Sequence, residues 1–261
     1  MRITVEANAH IPVEIRVRKP GVYSSPMCAP VDVADGKTQE IQDWSSAQGM
    51  PGEGIEVSLP AVCPWTCEEP FLYYFTVELG EDRAESYFAM RTFTIEPDRT
   101  GCPRICLNHK VQFQKGVLDQ GYWPDGLYTA PSDQAIIFDI QSMKDMGFNM
   151  IRKHIKIEPQ RWYYHCDRLG MVVWQDMVNG GGKYKPWFVT YAATILSWRS
   201  RRIRDVYTRL LAREKKEGRL EFIKEMKETA ERLKGHPSIA VWVIFNEGWG
   251  QFQKMCIRDR N

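Results

Sequence analysis

Two textures of hydrophobic and polar positions meet near Glu96-Pro97-Asp98. Before that point the runs are short and alternating: Ile3-Thr4-Val5-Glu6, Val13-Glu14-Ile15-Arg16-Val17, Ile55-Glu56-Val57-Ser58-Leu59, the segment 72–79 and the segment 87–95. Pro, Gly and Asp clusters such as Lys19-Pro20-Gly21 and Gly80-Glu81-Asp82 separate them. A period of two, punctuated by turn residues, predicts an all-β sandwich with one open side per strand. No stretch there has the period of an amphipathic helix.

After residue 98 the pattern becomes strand, helix, strand, helix. The segment 113–117 predicts a strand. Pro131-Ser132-Asp133 opens a helix with Ile136, Ile140 and Met143 on one stripe, and Gly147 closes it. Met150-Ile151-Arg152 is the next strand. Glu158-Pro159 starts a second helix, carrying Trp162, Tyr163, Cys166 and Leu169 to Gly170. Residues 171–174 form a third strand. Leu220, Phe222, Ile223, Met226, Ala230 and Leu233 make another helical stripe, ending at Gly235. The apolar run beginning at Val241 is the fourth strand. Four β/α units in succession predict a parallel α/β barrel, or half of one.

Composition changes this picture little. With 261 residues and 43% hydrophobic positions, the chain can fill two modest domains. A net charge of only +2 gives no reason to expect nucleic acid or a membrane surface as partner. The basic stretch 198–216, within a long excursion over 179–218, reads better as a solvated helix with Ile203, Val206, Leu210 and Leu211 inward than as a nucleic-acid patch. Salt-dependent binding of random-sequence DNA would separate those readings. No apolar run approaches the roughly 20 residues of a membrane span, and the N-terminus lacks a signal-peptide h-region. The seven cysteines show no CxxC spacing and no zinc-finger partner, so neither metal nor cofactor is expected. Cys166 and His165, on a helix body, read as structural. The expectation is a reduced, cytoplasmic protein, or a secreted one if a preceding segment carried a signal.

The informative chemistry sits in Val241-Trp242-Val243-Ile244-Phe245-Asn246-Glu247-Gly248-Trp249. A buried strand has no structural use for a carboxylate at its tip. In (β/α) barrels the chemistry lies at the C-terminal strand ends. A carboxyl group beside apolar rings is desolvated there, which raises its pKa and suits it to donate a proton near neutral pH. A helix cap is the plainer alternative for Glu247 and for Asn246.

The segment 116–126, Gly147-Phe148-Asn149-Met150-Ile151-Arg152-Lys153-His154, the segment 167–176, and the stretch from His236-Pro237-Ser238 to Asn246-Glu247 together resemble the first four barrel strands of glycoside hydrolase family 2. That family holds β-galactosidases, β-mannosidases and β-glucuronidases. The resemblance implies an immunoglobulin-like β-sandwich over 1–97, then the first half of a (β/α)8 TIM barrel over 98–254. It implies hydrolysis of β-glycosides with retention, by one carboxylate nucleophile and one acid/base. Glu247 is the acid/base by position. Asn246 would hydrogen-bond the sugar 2-hydroxyl, His154 would meet substrate hydroxyls, and Arg152 would brace the carboxylates. Asp176 either binds hydroxyls or orients neighbours, with a helix cap as the plainer role. Trp123 and Trp249 stack on the sugar or fill the core, and Asp125 is a weaker hydroxyl contact.

The departures from the family matter as much. The family nucleophile ends the seventh barrel strand, and this sequence stops after the fourth, so a fragment is expected, with a possible homo-oligomer only at full length. Residues 255–261 do not resemble the next helix and read as a non-native tail. A competing reading is a non-catalytic carbohydrate-binding or scaffolding protein with a degenerate barrel. The choice among galactose, mannose, glucose and glucuronic acid depends on later loops.

Overall fold

A computed structural model describes residues 1–8, 11–21, 43–179, 181–188, 191, 195, 208–209, 212–246 and 252. The first region holds β1 (Arg2–Thr4), β2 (Val13–Arg18), β3 (Asp43–Gly49), β4 (Gly54–Glu56), β5 (Tyr73–Leu79) and β6 (Asp82–Phe88). They make an antiparallel sheet in the order β3-β2-β5-β6 and a small β1-β4 pair. The alternation of β2 is the reason it sits centrally: Val13, Ile15 and Val17 are fully buried while Glu14, Arg16 and Arg18 face outward. Those three residues pack with Ile55, Val57 and Tyr73. Gly80, at φ +61°, turns β5 into β6.

Two of these strands depart from the hydrophobic pattern. β3 is polar along most of its length, and β6 begins inside the Gly80-Glu81-Asp82 cluster that reads as a turn. Both lie at sheet edges, where backbone pairing and not side-chain burial makes the strand. The apolar run 87–95 is likewise divided, between the end of β6 and the start of β7 (Phe93–Pro97). β7 pairs with β8 (Pro103–Leu107), which pairs with β9 (Lys110–Val111). The expected boundary at 97/98 therefore falls in the turn of a hairpin. Asp98 accepts bonds there from Thr100, Cys102 and Arg104, and these donors hold its carboxyl well below the usual carboxylate range.

The second region is a four-stranded parallel sheet, β10 (Gly116–Asp119), β11 (Met150–Lys153), β12 (Val172–Asp176) and β13 (Ile239–Val243), paired in sequence order. Helices α1 (Asp133–Asp145), α2 (Gln160–Leu169) and α3 (Lys216–Leu233) connect it. Ser132 caps α1 by accepting from the Ala135 amide at 3.1 Å. Gly170 ends α2 in the left-handed region at φ +71°. A Cβ at Gly170 would strike the Cys67 carbonyl, so this glycine also lets the two regions meet. Between sheet and helices lie Ile136, Ile140, Ile151, Trp162, Tyr163, Cys166, Met171, Val173, Leu233 and Ile239. Each such side chain contributes about 1.5–3 kcal/mol.

The opposite face of the sheet meets the first region through Val172, Met150, Trp174 and Ala240, against Trp65, Cys67, Leu72 and Leu107. A closed polar network reinforces this junction at the N-terminal ends of the strands. Asp167, without solvent exposure, accepts from Tyr87 Oη at 2.7 Å and from the Ser238 amide at 2.9 Å, and lies 2.7 Å from His236 Nδ1. The Arg91 guanidinium donates to the carbonyls of Pro237 and Ile239. Burial raises the Tyr87 phenol far above its ordinary range, and Asp167 adds to it. The His236-Pro237-Ser238 run is thus explained by an anchor and not by chemistry.

Among the described residues no helix is long and apolar enough to cross a membrane, and no group of three His, Cys, Asp or Glu side chains is placed to hold a metal. The basic stretch 198–216, expected to be helical, lies mostly outside the described residues, as do Ile203, Val206, Leu210 and Leu211.

Candidate active site at the strand ends

Alternation along β11 sorts its side chains. Ile151 and Lys153 turn toward the helices and are buried, while Arg152 turns to the other face. There Arg152 Nε and Nη2 donate to the two oxygens of Asp176 at 2.9 Å each, a fork-to-fork pair. Asp176 ends β12 and has no solvent exposure; it is not a helix cap. Arg152 Nη2 also donates to Asn246 Oδ1 at 2.8 Å. One guanidinium thus gathers the ends of β11 and β12 and the segment leaving β13. Its bond to Oδ1 fixes the Asn246 amide so that the NH2 group points away from the arginine.

A register shift makes this meeting possible. Val173 pairs with Ile239, but Trp174 pairs with Val241, leaving Ala240 as an extra residue. A bulge reverses which face later residues occupy. Val243 is thereby brought opposite Asp176, and Trp242 opposite Gln175 on the helix side.

His154 follows β11 directly. Its amide donates to the Asp119 carbonyl at 2.9 Å, and its Nδ1 accepts from Gln120 Nε2 at 3.3 Å. Ile155 then takes φ +53°, a conformation that costs a β-branched residue strain and marks the rim of the sheet. Asp125 is exposed in the loop after β10. Trp123 is half-buried and packs against the helix-side core, the bulk role left open beside sugar stacking. Glu247 and Trp249 lie outside the described residues.

Sequence reasoning missed the ion network on the helix side of the rim. Lys153 Nζ, almost wholly buried, meets Asp119 at 2.5 Å and Glu158 at 2.9 Å, and lies 4.3 Å from the centre of the Trp162 ring. Lys156 Nζ shares Glu158 at 2.9 Å. Tyr163 Oη donates to Gln175 at 2.6 Å, and burial pushes that phenol up. The available signal was parity: a lysine alternating with Arg152 in a buried strand needs acids on the other face.

Residues 104–258 match the profile of Glycosyl hydrolases family 2, TIM barrel domain. The chain belongs to glycoside hydrolase family 2. It is 27% identical over 221 residues to a candidate beta-glucuronidase of Formosa agariphila, covering 82% of this chain and 18% of that protein. It is 27% identical over 203 residues to a beta-galactosidase of Lactococcus lactis, covering 76% of this chain and 18% of that one. Among solved structures, the beta-D-glucuronidase of Dictyoglomus thermophilum superposes with TM-score 0.63 at 16% identity, over 93% of this chain and 35% of that one. The chain therefore spans about a fifth of the length of its curated relatives. The Arg152–Asp176–Asn246 junction lies at the C-terminal ends of the parallel strands.

Proposed function

We propose that this family 2 chain carries the acid/base side of a retaining exo-β-glycosidase site, acting on terminal β-linked sugars by double displacement. The observation that supports it is the single guanidinium of Arg152 joining Asp176 and Asn246 at the strand ends. Glu247 follows Asn246 directly in the sequence and is the proton donor in this reading. The Asn246 amide, turned away from Arg152, donates toward the sugar 2-hydroxyl, a bond that strengthens as oxocarbenium character develops. His154 and Asp125 bind other hydroxyls, and Trp249 walls the sugar. In the same reading the β-rich residues 1–97 form an immunoglobulin-like support and 98–254 the front of the barrel.

Retention needs a second carboxylate about 5–5.5 Å from the first. In this reading Asp176, bound by two nitrogens of Arg152 on the strand that pairs with β13, is not that second carboxylate. The nucleophile belongs to barrel strands outside this stretch. The test is Glu247→Gln in the full-length protein, assayed on β-glycosides with good and poor leaving groups. The variant should lose about 10²–10⁴-fold on poor leaving groups and far less on 4-nitrophenyl glycosides, since only the former need the proton. Equal losses on both would remove Glu247 from the role.

A further inference from the structure

The loop after β10 is a miniature hairpin that the reaction above leaves largely unused. Trp123 and Leu127 exchange backbone hydrogen bonds at 2.7 and 3.0 Å around Pro124-Asp125-Gly126, a strong turn sequence. Trp123 is spent on the core, which anchors the hairpin. Tyr122 and Tyr128 flank the bridge as a cross-strand pair. Their hydroxyls are 2.8 Å apart, and their rings meet edge to face with centroids 4.8 Å apart. Yet they remain 60% and 54% exposed, so about half or more of each residue is left uncovered by the described residues.

Beneath them the hairpin is clamped. Lys156 Nζ, only 7% exposed as a residue, donates at 2.7 Å to the carbonyls of both Gly121 and Tyr128, one on each leg. Glu158 holds the ammonium from the other side. Gly121 takes φ +67°, and any Cβ there would collide with Glu158 and Lys156. A buried cation therefore holds the two backbone legs that carry the exposed rings, and the rings' own hydroxyl contact pairs them. The platform is continuous with the strand-end site, because Gln120, two residues before Tyr122, bonds His154. Beside it opens a groove of about 510 Å³, lined by Tyr128, Ile155, Ile157 and Val178, and Val178 stands two residues after Asp176.

We propose that Tyr122 and Tyr128 form a stacking subsite for a second pyranose ring, the one adjoining the sugar held at the strand ends. The inference rests on the glycosidase reading for its ligand class, and on the hairpin geometry for its location. Flat aromatic faces suit the apolar faces of pyranose rings, and pre-organisation by Lys156 lowers the entropy cost of holding one.

The test is calorimetric titration of the 261-residue chain with methyl β-glycosides of glucose, galactose and glucuronic acid and with the matching β-linked disaccharides. For the sugar that binds, the disaccharide should bind about tenfold tighter, the scale of one aromatic stacking contact. Tyr122→Ala/Tyr128→Ala should erase that ratio, and Tyr122→Phe/Tyr128→Phe should keep most of it. Both pairs are surface changes, and an unchanged urea midpoint checks the fold. A wild-type ratio near one, or a ratio the alanine variant retains, overturns the subsite. Methyl glycoside binding that ignores Arg152→Ala instead indicts the strand-end reading, while the tyrosine-dependent ratio still judges the platform.

Discussion

At the N-terminal end of the parallel sheet Asp167 is sealed from solvent, and Tyr87, His236 and Ser238 occupy its oxygens. At the C-terminal end Asp176 is equally sealed, yet its partner Arg152 keeps 27% of its side chain exposed and carries a second ligand, Asn246. Both ends combine a carboxylate, a nearby histidine and a strand terminus. The lower cluster is a lock: Tyr87 and Arg91 of the β-rich region meet Asp167 of α2 and the segment entering β13, and Asp167, His236 and Ser238 are all buried. The upper cluster is a rim, with His154 half-exposed, Ile155 strained and a groove beside them. Residue type alone does not distinguish structure from chemistry here; which end of the strands a residue occupies, and whether its shell is closed, does.

The largest expected effect comes from breaking the lock. Asp167→Ala leaves Tyr87, His236 and the Ser238 amide without their acceptor in a buried junction. It should cost about 3–5 kcal/mol, read as a fall in the urea midpoint. At the rim, Asp176→Ala should cost less, about 1–3 kcal/mol, because the half-exposed guanidinium keeps Asn246 and can turn to water. A double-mutant cycle with Arg152→Ala should return a coupling of about 1–2 kcal/mol. If the rim substitution proves the more damaging, the division into lock and rim fails.

How far the sequence revealed this contrast depended on periodicity. β11 to β13 and the three helices were legible because their stripes repeat and Ser132, Gly147 and Gly170 mark helix ends, whereas β10 runs from Gly116 to Asp119, displaced from the expected strand 113–117. β3 and β6 were not, since edge strands need no apolar alternation. At the rim, Arg152, His154, Asp176 and Asn246 stood out as polar groups closing apolar strands. The lock did not, because Tyr87, Asp167 and His236 come from three distant segments and are joined only by packing. The bulge at Ala240 is equally silent in sequence: one extra residue changes facing without changing composition. Lys156 reads as an ordinary surface lysine until the hairpin closes over it.

The smallest effect lies on the flank between the two ends, at His165 on α2. Arg168 Nε donates to His165 Nδ1 at 3.0 Å, so that nitrogen must keep its lone pair and the ring must be neutral. Asp133 stands 3.6 Å from Nε2, too far for a hydrogen bond, and Arg161 lies next to Asp133. Burial, with Arg168 adding to it, holds the His165 pKa below its ordinary value near 6.5, against a weaker opposing pull from Asp133. The unfolded chain takes up this proton as pH falls through about 6.5, while the folded chain resists it until a lower pH. His165 therefore costs no stability above that range and subtracts progressively more below it, down to the folded pKa. Urea midpoints for wild type and His165→Gln, whose amide oxygen can still accept from Arg168, should run parallel above pH 7 and diverge below pH 6.5, with wild type losing more. The difference isolates this ring from the other histidines. Parallel curves down to pH 5 would mean that the flank opens to water on protonation, and that the closed packing of the lock does not extend along α2.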